Sequence, residues 1–197
     1  MQQQKVKASF FFTGRFYRNP SFKNIVQRLK KDKHYLGPHS DQHLLYCDWN
    51  KRDSLLVTKE QFTNDLLQNY KTMQKAGIQK EQARFFIPPY EWYNDSIAAW
   101  TEELGLQLIN FTPGTKSTAD YTYPGLKNYR SSEEIFNSII DYEKKNTSGL
   151  NGFILLVHIG TDPRRTDKFY KQLPGLIKYL KAKGYQFKTV DQLLKTD

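Results

Sequence analysis

The chain has 197 residues, a formal net charge of +10 and 15% aromatic residues, mostly its 13 Tyr and 13 Phe. That length holds one domain with a substantial core, expected across residues 1–197. The single cysteine, Cys47, excludes an intrachain disulfide framework and a cysteine-clustered metal site. Lys and Arg are scattered, as in KNIVQRLKKDK and LIKYLKAKG. They read as solvated helix faces rather than a stripe tracking phosphates, so nucleic acid is not the expected partner. No apolar run approaches the roughly 18 residues that span a bilayer, and MQQQKVK is not a secretion signal.

In chain order, Ala8–Phe12 reads as a strand, and NPSFKNIVQRLKKDK as a helix with Asn19 at the cap and Pro20 at its first position. HYLGPHS is a short strand ending in a Gly-Pro turn, and His34 before it is read as a surface residue. TKEQFTNDLLQNYKTMQKAG has capping-box spacing from Thr58 to Gln61 and stops at Gly77. ARFFIPPY is a strand stopped by prolines, NDSIAAWTEELG a helix and LQLINF a strand. An irregular stretch, TPGTKSTADYTYPGLKNYR, precedes the capped helix SSEEIFNSIIDYEKKN. GFILLVHIG is the most apolar strand, followed by a helix around Pro174, a strand at YQFKTV and a last helix from DQLL. Strands alternating with helices predict an α/β fold with a parallel sheet or barrel.

A barrel collects its chemistry at the C-terminal ends of its strands. Three of the chain's four histidines fall there. His39 and His43 are four apart; a helical turn after Pro38 would place both imidazoles on one face, where they could chelate one metal, although the spacing alone also fits two unrelated histidines. His158 ends the apolar strand and is either a satisfied core residue or a general acid. IPPYEWYN is either a rigid turn or a wall in which Tyr90 and Trp92 flank a sugar ring. Cys47 reads as a small buried residue.

Together these segments resemble the metal-dependent polysaccharide deacetylases. KVKASFFFTGRFY resembles that family's VKATFFVTG strand, LGPHSDQH its His-Ser-x-x-His motif, FFIPPYEWYN its Phe-Arg-Pro-Pro-Tyr motif and ILLVHIG its ILLxH strand, in the family's order. The resemblance implies a distorted (β/α) barrel of the polysaccharide deacetylase type, missing its first strand in this chain, which is then expected to be N-terminally truncated. It implies His39 and His43 as metal ligands, His158 as the acid that protonates the leaving amine, and Leu155 as part of an acetyl pocket. Tyr90, with Pro89 and Trp92, belongs to the substrate groove, and its N–H is a candidate oxyanion donor. The implied reaction is attack of metal-bound water, most simply on zinc, on the acetyl group of a chitin-like, peptidoglycan or other acetylated glycan. An extracytoplasmic location follows from the same resemblance.

Two departures accompany it. The family's Thr-Phe-Asp-Asp motif, source of the base and a third metal ligand, is not found, and Ile87 stands where the groove motif has Arg. Asp41, Asp48, Glu91, Asp120 and Asp162 are the alternative carboxylates, with Asp120 also the one acidic candidate for the family's fourth motif. A divergent glycan-binding protein without turnover is the competing expectation.

Overall fold

The structure, a computed structural model, describes residues 3–194. It is a mixed α/β chain whose contacts group into two compact units. One comprises Lys7–Asn110 with the chain from Lys188 onward; the other comprises Phe111–Phe187 with the residues up to Val6.

In the first unit, β1 (Ser9–Phe12) runs parallel to β2 (Tyr35–Pro38), with Ser9 opposite Tyr35 and Phe12 opposite Pro38. Between them, α1 (Gly14–Arg18) starts at Thr13, whose hydroxyl accepts from Phe16 N. Asn19 caps as the sequence predicts, but Pro20 opens a single 3₁₀ turn, Pro20–Phe22, before α2 (Lys23–Lys31). His34 is half-buried rather than a surface residue: its Nδ1 accepts from Ala8 N at 3.0 Å, and burial holds the imidazole below its ordinary range. An imidazole nitrogen thereby satisfies a main-chain donor at the start of β1.

The capping box of Thr58 and Gln61 opens α3 (Lys59–Lys75). Next come β3 (Phe85–Phe86), α4 (Asp95–Glu103), capped by Asn94, and β4 (Gln107–Leu108), which pairs parallel with β3. Between β2 and β3 a side chain replaces a ladder bond, the Tyr35 hydroxyl accepting from Phe85 N at 2.9 Å. The core of this unit packs Phe12, Leu36, Phe62, Leu66, Met73 and Phe86.

The second unit is built on α5 (Ser132–Lys145), opened by the capping box of Ser131 and Glu134, and α6 (Leu173–Ala182), with Pro174 in its first turn. Ile135 and Ile139, one turn apart on α5, pack with Phe169, Leu176 and Leu180. The chain closes on α7 (Val190–Leu193), capped by Thr189 and belonging to the first unit.

Among the described residues the sheets are two parallel pairs, β1–β2 and β3–β4, and no closed sheet is formed. The segments ILLVH and YQFKTV, expected as strands, carry no ladder. Thr112 N donates to the Ile154 carbonyl at 3.0 Å, but Ile154 N donates to the Thr112 hydroxyl rather than to a carbonyl. A side-chain acceptor thus takes the bond a strand partner would have made.

Candidate active site

His39 comes directly after β2, whose four residues are all buried. Its Nδ1 lies 2.8 Å from the Ile87 carbonyl. A carbonyl only accepts, so Nδ1 carries the proton and Nε2 presents a lone pair. Nε2 of His43 stands 3.2 Å from that nitrogen. Two imidazole ligands of one tetrahedral zinc, at about 2.0–2.1 Å from the ion, are separated by about 3.3 Å. The two donors therefore fit one such ion. Among the described residues no group of three or more His, Cys, Asp or Glu is placed to hold a metal, so the fit is of a two-histidine site.

The helical turn expected after Pro38 does not form. Instead Ser40 and His43 adopt left-handed backbone, at φ 66° and 59°. Such residues cost about 1–3 kcal/mol each and persist where surrounding contacts hold them. Here Ser40 Oγ accepts from His43 N at 2.9 Å, and Asp65 accepts from Gln42 N at 2.8 Å and from the Tyr46 hydroxyl at 2.7 Å. Buried Asn69 of α3 accepts from His39 N at 3.0 Å and donates to the Phe12 carbonyl at 3.3 Å. One amide thus ties the end of β1 to the histidine loop. Asp41, also buried, pairs with Arg18 at 2.5 and 3.0 Å and accepts from Gln42 Nε2. Gly14 is required beside it, because a Cβ there would collide with the carboxylate.

Tyr90 and Glu91, after buried Pro89, are a second left-handed pair, at φ 60° and 54°. The turn aims the Tyr90 ring edge-on at His43, 4.5 Å between centroids. Trp49 lies 5.4 Å from Tyr90 and 5.6 Å from Trp92. Sequence alone points to Tyr90 and Trp92 and passes over Trp49, whose one signal is a large aromatic inside the polar turn CDWNKRD.

In the second unit, His158 is held by Asp120, buried in the 3₁₀ turn Ser117–Tyr121. Asp120 Oδ2 accepts from His158 N and Oδ1 lies at Nδ1, both at 2.6 Å. The carboxylate orients the imidazole and stabilises positive charge on it, the role of the acidic member of a His–Asp pair. Leu155 packs with Phe153 and Val157 on the helix core of this unit.

Sequence reasoning also passes over Arg165, which is fully buried. Its guanidinium donates to the Thr122 carbonyl at 2.7 Å, the Arg130 carbonyl at 3.0 Å and Ser132 Oγ at 3.1 Å. It thereby fastens the segment after His158 to the segment after Asp120.

Two further alternative carboxylates, Asp162 and Asp48, are occupied. Hydrogen bonds from Arg164 hold Asp162 down at about 2. Asp48 lies below its usual range because Lys51 N and Asn50 N donate to it. Cys47 is buried and its thiol is pushed up by that burial, as a small core residue's would be.

The parallel α/β fold is shared with solved structures of carbohydrate esterase family 4. The structure superposes on a peptidoglycan N-acetylglucosamine deacetylase, Bc1960, with a TM-score of 0.75 at 22% identity, covering 100% of this chain and 78% of that one. It also superposes on BA3943, a pseudoenzyme of that family from Bacillus anthracis, with a TM-score of 0.70 at 17% identity, covering 98% of this chain and 57% of that one. The chain belongs to the polysaccharide deacetylase family, whose sequence profile matches residues 1–109. It is 29% identical over 196 residues to a peptidoglycan-N-acetylglucosamine deacetylase of Bacillus cereus, covering 99% of this chain and 78% of that protein. Against two further curated deacetylases it spans 61% and 34% of their length. No helix among the described residues is long and apolar enough to cross a membrane.

Proposed function

We propose that this chain is a metal-dependent hydrolase that removes acetyl groups from a polysaccharide of the N-acetylglucosamine type, such as peptidoglycan or a chitin-like glycan. The observation that carries the reading is the convergence of His39 and His43 at 3.2 Å, with His39 Nδ1 committed to the Ile87 carbonyl. The two Nε2 atoms are then the ligands for a divalent ion, zinc by the chemistry of the donors. Such an ion, when bound, supplies Lewis acidity and a water made nucleophilic at neutral pH.

His158, steadied by Asp120, delivers the proton that the leaving amine needs. Tyr90 lends its backbone N–H to the developing oxyanion, and Pro89 and Trp92 belong to the substrate-binding segment. Leu155 supports the acetyl pocket from the core side of its segment. In this reading residues 1–197 act as one catalytic domain with the family's distorted (β/α) barrel, at an extracytoplasmic glycan.

The test is acetate release from acetylated chito-oligosaccharides after stripping with a chelator and readdition of zinc, alongside direct zinc titration. Activity restored by zinc in the native chain and absent from His39→Ala supports the reading; release that ignores both treatments sinks it.

A second reading, glycan binding without turnover, is favoured by the two-donor site and by Ile87, a buried apolar side chain in the place of the family's Arg. It predicts zinc and oligosaccharide binding with no acetate released at any metal concentration.

A further inference from the structure

We propose that Trp49, alongside Tyr90, is the stacking shelf for a pyranose ring of the bound glycan, one sugar along from the unit presented at His43, and that Trp92 is its buttress. This rests on the glycan reading above but not on turnover.

Three aromatic rings lie together here, and they differ in what already occupies them. Trp92 donates its indole N–H to the Asp48 carbonyl at 3.1 Å, and the Arg52 guanidinium sits over its ring at 4.5 Å. Arg52 is fixed in turn by donating from Nε to the Tyr93 carbonyl at 2.6 Å, while Asn94 donates to the Arg52 carbonyl at 3.0 Å. Trp92 is thus engaged on its polar edge and across its ring. Trp49 and Tyr90, by contrast, keep 51% and 45% of their surface in water. A flat apolar face left in water beside a polar site is what the C–H face of a sugar ring covers.

The position of Trp49 is set by its turn. Asp48 accepts from Asn50 N and Lys51 N, each at 2.8 Å, and Asp48 N donates to the Ser54 carbonyl at 2.9 Å. Cys47 and Leu55 close the base of the turn as an antiparallel bridge. The shelf is therefore formed before any sugar arrives, so little ordering cost falls on binding. The rings run outward in sequence, His43 to Tyr90 at 4.5 Å and Tyr90 to Trp49 at 5.4 Å. Trp49 accordingly serves a neighbouring sugar rather than the residue that reacts.

Stacking on one exposed aromatic is worth about 1 kcal/mol. The expected effect of Trp49→Ala is a roughly five- to tenfold rise in Kd and KM for chitopentaose, by the conversion of about 1.4 kcal/mol per tenfold, with kcat unchanged and no effect on chitobiose. Loss of binding shared by ground and transition states gives this pattern. Trp49→Phe should retain most of the affinity. Titration of the zinc-loaded protein with chitopentaose, followed by tryptophan fluorescence in Trp92→Phe, should show a saturable change that is absent from Trp49→Phe.

If the native chain binds chitopentaose and Trp49→Ala binds it five- to tenfold more weakly, the shelf stands even if no acetate is released by either, and only the hydrolase reading falls. If the native chain releases acetate and Trp49→Ala has the same KM at every chain length, the shelf is overturned while the hydrolase reading stands. Absence of any chitopentaose binding by the native chain also overturns the shelf.

Discussion

His39 and His158 use the same ring atom, Nδ1, to hold themselves in place, but against different partners. His39 is held by a main-chain carbonyl and His158 by a buried carboxylate. A neutral acceptor fixes the tautomer and adds no charge, leaving Nε2 as a lone pair suited to a cation. An anionic partner stabilises positive charge on the ring and so suits a group that takes up and gives back a proton. The pair of environments teaches that the atom behind a histidine assigns its task as firmly as the atom in front of it.

The largest expected effect comes from breaking the carbonyl-held side: His39→Ala should lose both zinc retention and acetate release, checked by metal analysis and a release assay. On the carboxylate-held side, His158→Ala should lower kcat by about 10²–10⁴ while zinc binding is unchanged. Asp120→Asn should fall the same way, since it leaves the ring placed but removes the charge behind it. If His158→Ala instead loses zinc, the contrast between the two histidines is wrong.

Next come the residues behind each partner. Arg165→Met should cost about 3 kcal/mol in urea unfolding, because it strips a buried charge from the carbonyls of Thr122 and Arg130 and from Ser132. Asn69→Ala should cost about 1–2 kcal/mol, since the His39 N–H and the Phe12 carbonyl lose their partner. It should also weaken zinc binding by about 10-fold, an effect Arg165→Met should not share.

The smallest effect is a pH dependence away from either histidine. A hydrogen bond from Lys183 holds the Glu143 carboxyl below its ordinary value of 4.5. Its folded value is depressed, so its contribution is full above the ordinary value and is lost as pH falls through the folded one. Glu143→Gln should therefore lower stability slightly at neutral pH, converge with the native chain in acid and so flatten the acid limb below about pH 4.5, by circular dichroism against pH.

Much of the molecule is legible in the chain. The strands at SFFF and YLGP, the capping boxes at Thr58 and Ser131, and the spacing of His39 and His43 are local patterns, and local patterns leave periodic or positional marks. The histidine pair is legible for a geometric reason that the structure overturns: left-handed Ser40 and His43 bring the rings together where the spacing predicts a helix. Asn69, Asp65 and Arg165 are not legible, because their partners lie far along the chain and a single buried polar side chain has no repeat to betray it. The missing ladders at ILLVH have the same origin, a hydroxyl from Thr112 standing in for a backbone acceptor. Trp49 is visible as a residue but not as a site, since only its neighbours show which aromatic remains uncovered.

Ile87 touches His39 through its carbonyl oxygen, an atom every amino acid carries. The orientation of the histidine is therefore insulated from exchange of the side chain at that position. Evolution can drift there without disturbing the ring, provided the backbone path survives. Position 87 is thus a place where the arginine could be set aside with the histidine still aimed.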